Sequence, residues 1–359
     1  YGALADVFID AESKLYNQAC NADGGWSGWR SFRIIDKVRE SEEITSLHLV
    51  PCDGGPLPAY RAGQYTTARV FVPELGVMQL RQYTLSIAPG AMHFRISVKR
   101  EPAGATTPAG RVSNRLHDFY KVGDMLELAP PFGEFFLDET HDGPVVLISG
   151  GVGITPMISM LDRLVAAAPS RPVQFVHACR NAAVFAFGAH LAKVAERNPQ
   201  VRLHLFHDEG AVSAPVQAGR VDLRALAGEV LAEGADYYLC GPVGFLEAQI
   251  ATLHELGVES ARIHAEALAA QEGLTFLHPF DNLDVMAGQG TMGLEILEQT
   301  PDLDAVVVPV GGGGLLAGVG TVMKALKPSV RVVGVEPDHA ACFVAALAAG
   351  SPVTVPLAP

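Results

Sequence analysis

Hydrophobic positions change their spacing along this chain, and each change marks a different kind of structure. Apolar residues between Leu4 and Leu15 recur at helical spacing, which predicts one amphipathic helix over residues 1–22. The stretch DGGWSGWRSF then breaks that pattern with three glycines and two tryptophans. Residues 23–31 are therefore predicted to be a linker that packs on the domain after it.

The rest of the chain divides into three patterns. Residues 32–140 hold short segments rich in Val, Ile, Tyr and Thr, such as EITSLHLV and HFRISVKRE, with turn signals between them, which predicts an antiparallel β-barrel. In residues 141–268 strand-like segments alternate with helical ones, which predicts a parallel sheet covered by helices. Residues 269–359 have a strand and helix alternation of their own and stop in mid-pattern. We therefore expect an α/β multidomain protein.

Composition and charge argue against several classes of function. The chain has 359 residues, of which 49% are hydrophobic, and a formal net charge of −13. That charge argues against a nucleic-acid partner or an anionic membrane surface, because both require clustered Lys and Arg. The five cysteines are far apart and lack metal-ligand spacing. They predict free thiols, a cytoplasmic location and no metal site.

One uncharged run, from Ala305 to Met323, is long enough to resemble a membrane span. Its four adjacent glycines and Pro309 are poorly suited to a helix, so no membrane helix is expected. Acidic residues interrupt the first twelve positions, which excludes a signal-peptide pattern. Because Tyr1 stands where an initiator Met is usual, we expect the chain to begin inside a longer protein.

The stretch LISGGVGITP runs from an apolar strand through a glycine turn into a helical pattern. Backbone N–H groups of such a turn, together with the positive end of the helix, bind phosphate. The match is to GxGxxP, and Arg180 stands where an ordinary dinucleotide fingerprint has an acid. The alternative is a tight connection that needs glycine only for its backbone angles. The candidate phosphate-binding residues are Gly150, Gly151, Gly153, Thr155 and Pro156.

Four motifs together resemble one protein family. RQYTLS (81–86), GRVSN (110–114), GGVGITP and CGP (240–242) match the ferredoxin–NADP reductase superfamily in order and separation over about residues 32–266. Within it the chain is most similar to the reductase half of flavohaemoglobins, and residues 1–31 resemble that group's last globin helix and the junction after it. The resemblance implies an FAD-dependent oxidoreductase that passes hydride from NAD(P)H to FAD and electrons onward.

The resemblance also implies roles for individual residues. Arg81 and the turn at Gly110 would hold the FAD pyrophosphate, Tyr83 would face the isoalloxazine ring, and Thr84 would face its N5 edge. The implied flavin-binding residues are Arg81, Gln82, Tyr83, Thr84, Gly110, Val112 and Ser113. The implied catalytic residues are Tyr83, Thr84, Cys240 and Glu266, with Gly241 and Pro242 beside the nicotinamide. Cys240 can equally be a small core residue.

Two departures from the family pattern bear on activity. Flavohaemoglobins pass electrons to a globin haem, where nitric oxide and oxygen become nitrate, but only the final globin helix is represented here. We therefore expect no haem in this chain and no nitric oxide dioxygenation by it alone. Leu268 and Ala269 replace an aromatic residue and a glycine that follow the family's glutamate. The choice between NADH and NADPH stays open, because Arg180 suits a 2′-phosphate whereas the family favours NADH.

A second glycine turn lies in PVGGGGL. With HPFD, AGQGT and GVEP in order, residues 269–359 resemble fold-type II pyridoxal-phosphate enzymes, threonine dehydratase and serine racemase in particular. The resemblance seats the cofactor phosphate on Gly311, Gly312, Gly313 and Gly314. None of the seven lysines has the family's Ser-Phe-Lys-like setting for a Schiff base. We expect a fragment without lyase activity; the alternatives are a pyridoxal-phosphate-dependent dehydratase-like protein and a non-catalytic fusion of two gene fragments.

Overall fold

The computed structural model describes residues 23–104, 108–267, 283–310 and 314–336. The chain divides into two compact units, Tyr1–Gly273 and Leu274–Pro359. The helix predicted over residues 1–22 lies outside the described residues.

Six antiparallel strands form the first part of the first unit. They are β1 (Arg30–Arg39), β2 (Ile44–Pro51), β3 (Tyr65–Val72), β4 (Val77–Thr84), β5 (Phe94–Lys99) and β6 (Met125–Leu128). Their order is β4-β3-β6-β1-β2-β5, and a bridge between Leu85 and Ile96 joins the two ends of the sheet. Along β3 every second residue is buried, because alternate side chains of a strand point to opposite faces. The predicted antiparallel barrel is confirmed.

The barrel interior is filled by apolar side chains, and two flanking elements cover it. Helix α1 (Arg111–Asp118) buries Val112 and Leu116 against the barrel core. Trp26, from the predicted linker, packs on Phe32 with ring centroids 5.6 Å apart, and its indole N–H donates to the Leu128 carbonyl at 3.1 Å. The linker tryptophan therefore packs on the barrel, as its sequence predicts.

A six-stranded parallel sheet forms the second part of this unit. Its strands are β7 (Val145–Gly150), β8 (Val173–Cys179), β9 (Val201–His207), β10 (Val216–Ala218), β11 (Asp236–Gly241) and β12 (Ile263–Ala267). Its helices are α2 (Ile154–Ala167), α3 (Gly188–Arg197), α4 (Ala227–Val230) and α5 (Val243–Glu255). The strand order is β10-β9-β8-β7-β11-β12, which confirms the predicted parallel sheet.

The order of these strands locates a binding crevice. From β7 the chain proceeds to β8 and β9 on one side, and later to β11 and β12 on the other. The direction of winding therefore reverses between β7 and β11, and open α/β sheets bind ligands at the carboxyl ends of strands at such a point. Every residue of β7 and β11 is buried, as expected for central strands covered on both faces.

The barrel contributes residues to one hydrophobic core of the parallel sheet. Ile44 and Ala62 of the barrel belong to the same buried cluster as Met157 of α2. The Tyr60 and Ser159 hydroxyls both donate to the Ile87 carbonyl, at 2.6 and 2.7 Å. Shared apolar burial and converging hydrogen bonds fix the position of the sheet relative to the barrel.

The second unit is small. Its described elements are α6 (Leu283–Gln299), β13 (Ala305–Pro309), α7 (Gly314–Leu326) and β14 (Arg331–Val335). β13 pairs in parallel with β14. The two helices pack closely at Gly293, where a Cβ would lie only 3.0 Å from Val322 Cβ. A third strand, predicted in PVTVP, lies outside the described residues. No helix in the described stretches is long and apolar enough to cross a membrane.

Candidate functional site

Strand β4 presents the predicted flavin motif at the rim of the barrel. Arg81 and Gln82 are exposed, and one Arg81 Nη donates to the Leu80 carbonyl at 2.7 Å. Tyr83 packs against the barrel core, and burial raises the pKa of its phenol. Thr84 ends the strand and is partly buried. The motif thus combines an exposed guanidinium with an anchored aromatic ring and an adjacent hydroxyl.

Helix α1 presents its N-terminus as an anion site. No side chain caps the helix, and its first turn holds no acid, so its N–H groups are available to an anion. The Asn114 amide donates to the carbonyls of Glu101 and Gly110 at 2.8 and 2.7 Å, which holds the turn in place. A Cβ on Gly110 would lie 2.8 Å from the Cβ of Glu101, which cannot rotate away. The space at this turn therefore requires glycine, as a pyrophosphate cradle does.

The glycine turn after β7 lies at the reversal point of the sheet. Gly151 has a φ of 57°, which favours glycine. A Cβ on Gly153 would lie 2.1 Å from the Cys240 carbonyl oxygen, so this glycine lets the turn pack directly on β11. The Thr155 hydroxyl donates to the Val152 carbonyl at 3.0 Å and thus supports the turn itself. Pro156, in the first turn of α2, has no N–H to leave unpaired.

The carboxyl end of β11 completes the crevice. Gly241 lies beside Gly150, and a Cβ on either glycine would lie within 3.3 Å of the Phe245 ring. Pro242 is the N-cap residue of α5, which begins at Val243. The Phe245 ring thus packs on the backbone of both strands, and a larger side chain at either glycine would displace it.

Glu266 is the residue at which the two halves of the site meet. It pairs with Cys240 in the register of β11 and β12, and Tyr65 pairs with Thr84 in the register of β3 and β4. Burial raises the pKa of Glu266 to about 7. Burial, and next the Glu266 carboxylate, raise the pKa of the Tyr65 phenol, which the Gln82 side chain lowers. The Glu266 carboxyl group of the parallel sheet therefore lies near enough to Tyr65, the register partner of Thr84, to act on it electrostatically.

Cys240 is wholly buried. Its side chain is 0% exposed and belongs to the core cluster of the parallel sheet. Burial, followed by the nearby Glu266 carboxylate, raises the pKa of its thiol well above the usual value. The group is therefore a neutral thiol beside the crevice, and its chemistry is that of a small apolar side chain.

Sequence reasoning missed three residues of this site. Tyr65 links Glu266 to the flavin motif, Phe245 covers both crevice glycines, and Glu101 accepts the Gly110 N–H through its carbonyl at 3.0 Å. Phe245 stands three residues after CGP, and Glu101 directly follows FRISVKR, so proximity to the motifs was a usable signal for these two. Tyr65 had none, because its role depends on strand pairing.

These residues fit two dinucleotides. One glycine-lined turn lies at an uncapped helix on the barrel, the other lies at the reversal point of the parallel sheet, and both exclude a Cβ. Among the described residues, no group of three or more His, Cys, Asp or Glu side chains is arranged to hold a metal ion.

Among the described residues of the second unit, no lysine is set up for pyridoxal phosphate chemistry. Gly311, Gly312 and Gly313 lie outside the described residues, and Gly314 begins α7. Residues 269–359 contain two lysines, Lys324 and Lys327. The Lys324 ammonium donates to the Val330 carbonyl at 2.8 Å, and that of Lys327 donates to the Pro301 carbonyl. Both amines are thus engaged with backbone carbonyls, and neither has the sequence setting of a Schiff-base lysine.

A flavin motif on an antiparallel barrel, facing a nucleotide-binding turn on a parallel sheet, defines an NAD(P)H-dependent flavin oxidoreductase. FAD is its resident cofactor and NAD(P)H its substrate. Comparison with known proteins agrees. The family profile described as an oxidoreductase NAD-binding domain matches residues 147–250. A second profile, for pyridoxal-phosphate dependent enzymes, matches residues 231–359 and so overlaps β11, which pairs with β7 in the first unit.

Individual relatives identify the family. A flavohemoprotein of Chromobacterium violaceum is 50% identical over 278 residues, covering 76% of this chain and 69% of that protein. One from Bordetella pertussis is 51% identical over 273 residues, covering 74% and 67%. The solved flavohem-like FAD/NAD-binding domain of nitric oxide dioxygenase from Vibrio cholerae has a TM-score of 0.61 at 38% identity, covering 66% of this chain and 98% of that one. The chain belongs to the flavohemoprotein family.

Proposed function

We propose that hydride passes from NAD(P)H to FAD where the parallel sheet meets the barrel, beside Glu266 and Thr84, and that the electrons then pass to the haem of a globin. The observation that carries the proposal is the packing of the barrel on the parallel sheet, through the apolar cluster around Met157 and the hydrogen bonds to the Ile87 carbonyl. Glu266 lies beside Cys240 on the nucleotide side and is electrostatically coupled to Tyr65, the register partner of Thr84, on the flavin side.

The residues of the barrel would hold the flavin. Arg81 offers an exposed guanidinium to the pyrophosphate, and the first turn of α1, from Gly110 to Ser113, offers backbone N–H groups to the same anion. Tyr83 is anchored in the core and gives the ring a flat contact, and the Thr84 hydroxyl lies next to it in sequence. When bound, FAD accepts a hydride and releases electrons to the acceptor.

The residues of the parallel sheet would position the nicotinamide nucleotide. The turn from Gly150 to Gly153 would offer its backbone to the phosphates, and Gly241 and Pro242, with the Phe245 ring packed on Gly241, would lie beside the nicotinamide. Cys240 fills the wall behind the ring. Hydride transfer needs the reacting carbon of the nicotinamide and the reacting nitrogen of the flavin held close and aligned. The apolar cluster that joins barrel and sheet contributes by fixing that geometry.

The acceptor and the division of the chain belong to the same proposal. The relatives are named flavohemoproteins, which supports a globin haem as the acceptor. We assign residues 1–22 to the last globin helix, 23–31 to the linker, 32–140 to the FAD-binding barrel, 141–268 to the NAD(P)-binding domain and 269–359 to a partial pyridoxal-phosphate-type domain. The described cysteines are free thiols, in accord with a cytoplasmic location.

Flavin content of a double variant tests the flavin site. Arg81→Ala with Thr84→Ala removes a charge-assisted contact and a hydroxyl contact, each worth about 1.5 to 3 kcal/mol at most. We expect the bound FAD per protein to fall by at least about tenfold while far-ultraviolet circular dichroism stays unchanged. NADH-dependent reduction of an artificial dye should fall with it. Arg202→Ala, at an exposed arginine on β9, is the matched control. Unchanged flavin content in the double variant would overturn the assignment.

A further inference from the structure

Arg180 stands at a position that selects between nucleotides. It directly follows β8, the strand next to β7, and Ala178 pairs with Gly150 of the glycine turn. In parallel-sheet dinucleotide sites, the ribose of the adenosine lies near the end of this neighbouring strand. An acid there binds the ribose 2′-hydroxyl, whereas an arginine accommodates a 2′-phosphate. By residue type alone, Arg180 would favour NADPH.

The structure gives that arginine another partner. An Arg180 Nη forms an ion pair with the Glu43 carboxylate, which lies on the barrel. The side chains are 53% and 29% exposed, so the pair lies at the surface where a nucleotide could reach it. The neighbouring Glu42 backbone N–H donates to the Ala183 carbonyl at 2.9 Å. This backbone contact holds the β1–β2 turn against the segment after β8 and so keeps Glu43 within reach of Arg180.

A second carboxylate adds to the same local charge. Asp208 follows β9, and its backbone N–H donates to the Cys179 carbonyl at 3.1 Å. Burial raises the pKa of the Cys179 thiol; the Asp208 and Glu43 carboxylates raise it further, and Arg180 lowers it. All three charged groups therefore act on one point at the end of β8. Two carboxylates and one guanidinium leave a net negative charge, which repels a phosphate dianion.

We propose that Glu43 is a specificity-determining residue: by occupying Arg180 from the barrel side, it makes this reductase prefer NADH over NADPH. The proposal rests on the proposed nucleotide site in the parallel sheet. Because an exposed ion pair is weak, Glu43 lowers the affinity for a 2′-phosphate without abolishing it. Removing the Glu43 charge both frees the guanidinium and cancels the net negative charge, so a latent NADPH site should appear.

Binding of two adenosine probes to the flavin-loaded full chain tests this directly. Adenosine 2′,5′-bisphosphate and AMP differ only in the 2′-phosphate, and titration calorimetry measures both. We expect wild type to bind AMP more tightly, and Glu43→Gln to raise the affinity for the bisphosphate about tenfold or more with little change for AMP. The ratio of kcat/KM for NADPH to that for NADH should rise by a similar factor.

Two further variants separate the pair from its surroundings. Glu42→Gln removes the same charge one residue away at an exposed side chain, and its selectivity should equal that of wild type. Glu43→Gln combined with Arg180→Gln should lose the increase in bisphosphate affinity, because the increase needs the freed guanidinium. If Glu43→Gln binds both probes as wild type does, or if Glu42→Gln gives the same increase, the specificity role of Glu43 is wrong. If wild type binds neither AMP nor NADH, the proposed function fails, and this inference fails with it.

Discussion

Replacing Glu266 by Gln tests the electrostatics of the site most sharply. The pKa of Glu266 rises from an ordinary value of 4.5 to about 7 because the carboxyl group is buried. Between these two pH values the folded protein binds more protons at this group than the unfolded chain does. Stability contributed by the protonated carboxyl is therefore complete below about pH 4.5 and is lost as the pH rises to about 7.

The size of that loss follows from the two pKa values. They differ by about 2.5, and each unit corresponds to about 1.36 kcal/mol, so ionised Glu266 destabilises the flavin-free fold by at most about 3.4 kcal/mol above pH 7. Gln keeps the shape of the protonated carboxyl and cannot ionise. We expect the free energy of unfolding of Glu266→Gln, relative to that of wild type, to increase by about 2 to 3 kcal/mol as the pH rises from 5 to 8.

Urea unfolding of the flavin-free protein at pH 5, 6, 7 and 8 measures this difference. The chain has two tryptophans, Trp26 and Trp29, both in the first unit, so their fluorescence reports that unit without interference from the second. Glu259→Gln, at an exposed glutamate shortly before β12, is the matched control and should follow wild type at every pH. If Glu266→Gln also follows wild type within about 0.5 kcal/mol, the carboxyl is not held neutral and the argument from burial is wrong.

Three other outcomes are expected. Burial, and next the neighbouring His207 imidazole, lower the pKa of His177 to about 3, so stability should fall as the pH drops from about 6.5 towards 3. His177→Asn should therefore shift acid unfolding, measured by tryptophan fluorescence, to lower pH, whereas His254→Asn, at an exposed histidine, should not. Gly153→Ala should destabilise by about 2 kcal/mol or more in urea, because its methyl would lie 2.1 Å from a strand carbonyl oxygen, while Gly228→Ala, with open space around it, should be neutral. Limited proteolysis should leave a flavin-containing core and digest the Leu274–Pro359 unit; survival of that unit with bound pyridoxal phosphate would contradict its assignment as a fragment.

Local patterns predicted much of the fold and the positions of the two glycine turns in the first unit. The flavin motif lies on a barrel strand, the GRVSN turn begins α1, and the GGVGITP turn joins β7 to α2, as expected from strand, turn and helix signals that span about ten residues. Glycine was informative because its requirement is local: Gly151 needs a positive φ, and Gly110 has no room for a Cβ. Such constraints are visible in one stretch of sequence.

Interactions between distant stretches were not predictable in this way. Glu266 and Tyr65 are about 200 positions apart, and Arg180 and Glu43 are 137 positions apart. Each pair depends on how a strand of the barrel is placed against the end of a strand of the sheet. Nothing in the spacing of either residue indicates its partner, and the raised pKa of Glu266 likewise arises from burial between elements that the sequence separates.

The two glycine turns of this chain show how far a local pattern can be trusted. Both follow an apolar strand and lead into a helix, so both sequences predict a phosphate-binding turn. The strands that feed them differ. Every residue of β7 is buried between two strands, whereas β13 pairs, among the described residues, with β14 alone, and Val307 and Val335 are 63% and 50% exposed. A glycine turn keeps its backbone N–H groups in place for an anion only when the strand before it is fixed. Parallel strands are stabilised by cover on both faces. The first turn is therefore built to hold a dinucleotide, whereas the described strands beside the second turn lack such cover, and none of the chain's lysines has the setting that a Schiff base requires.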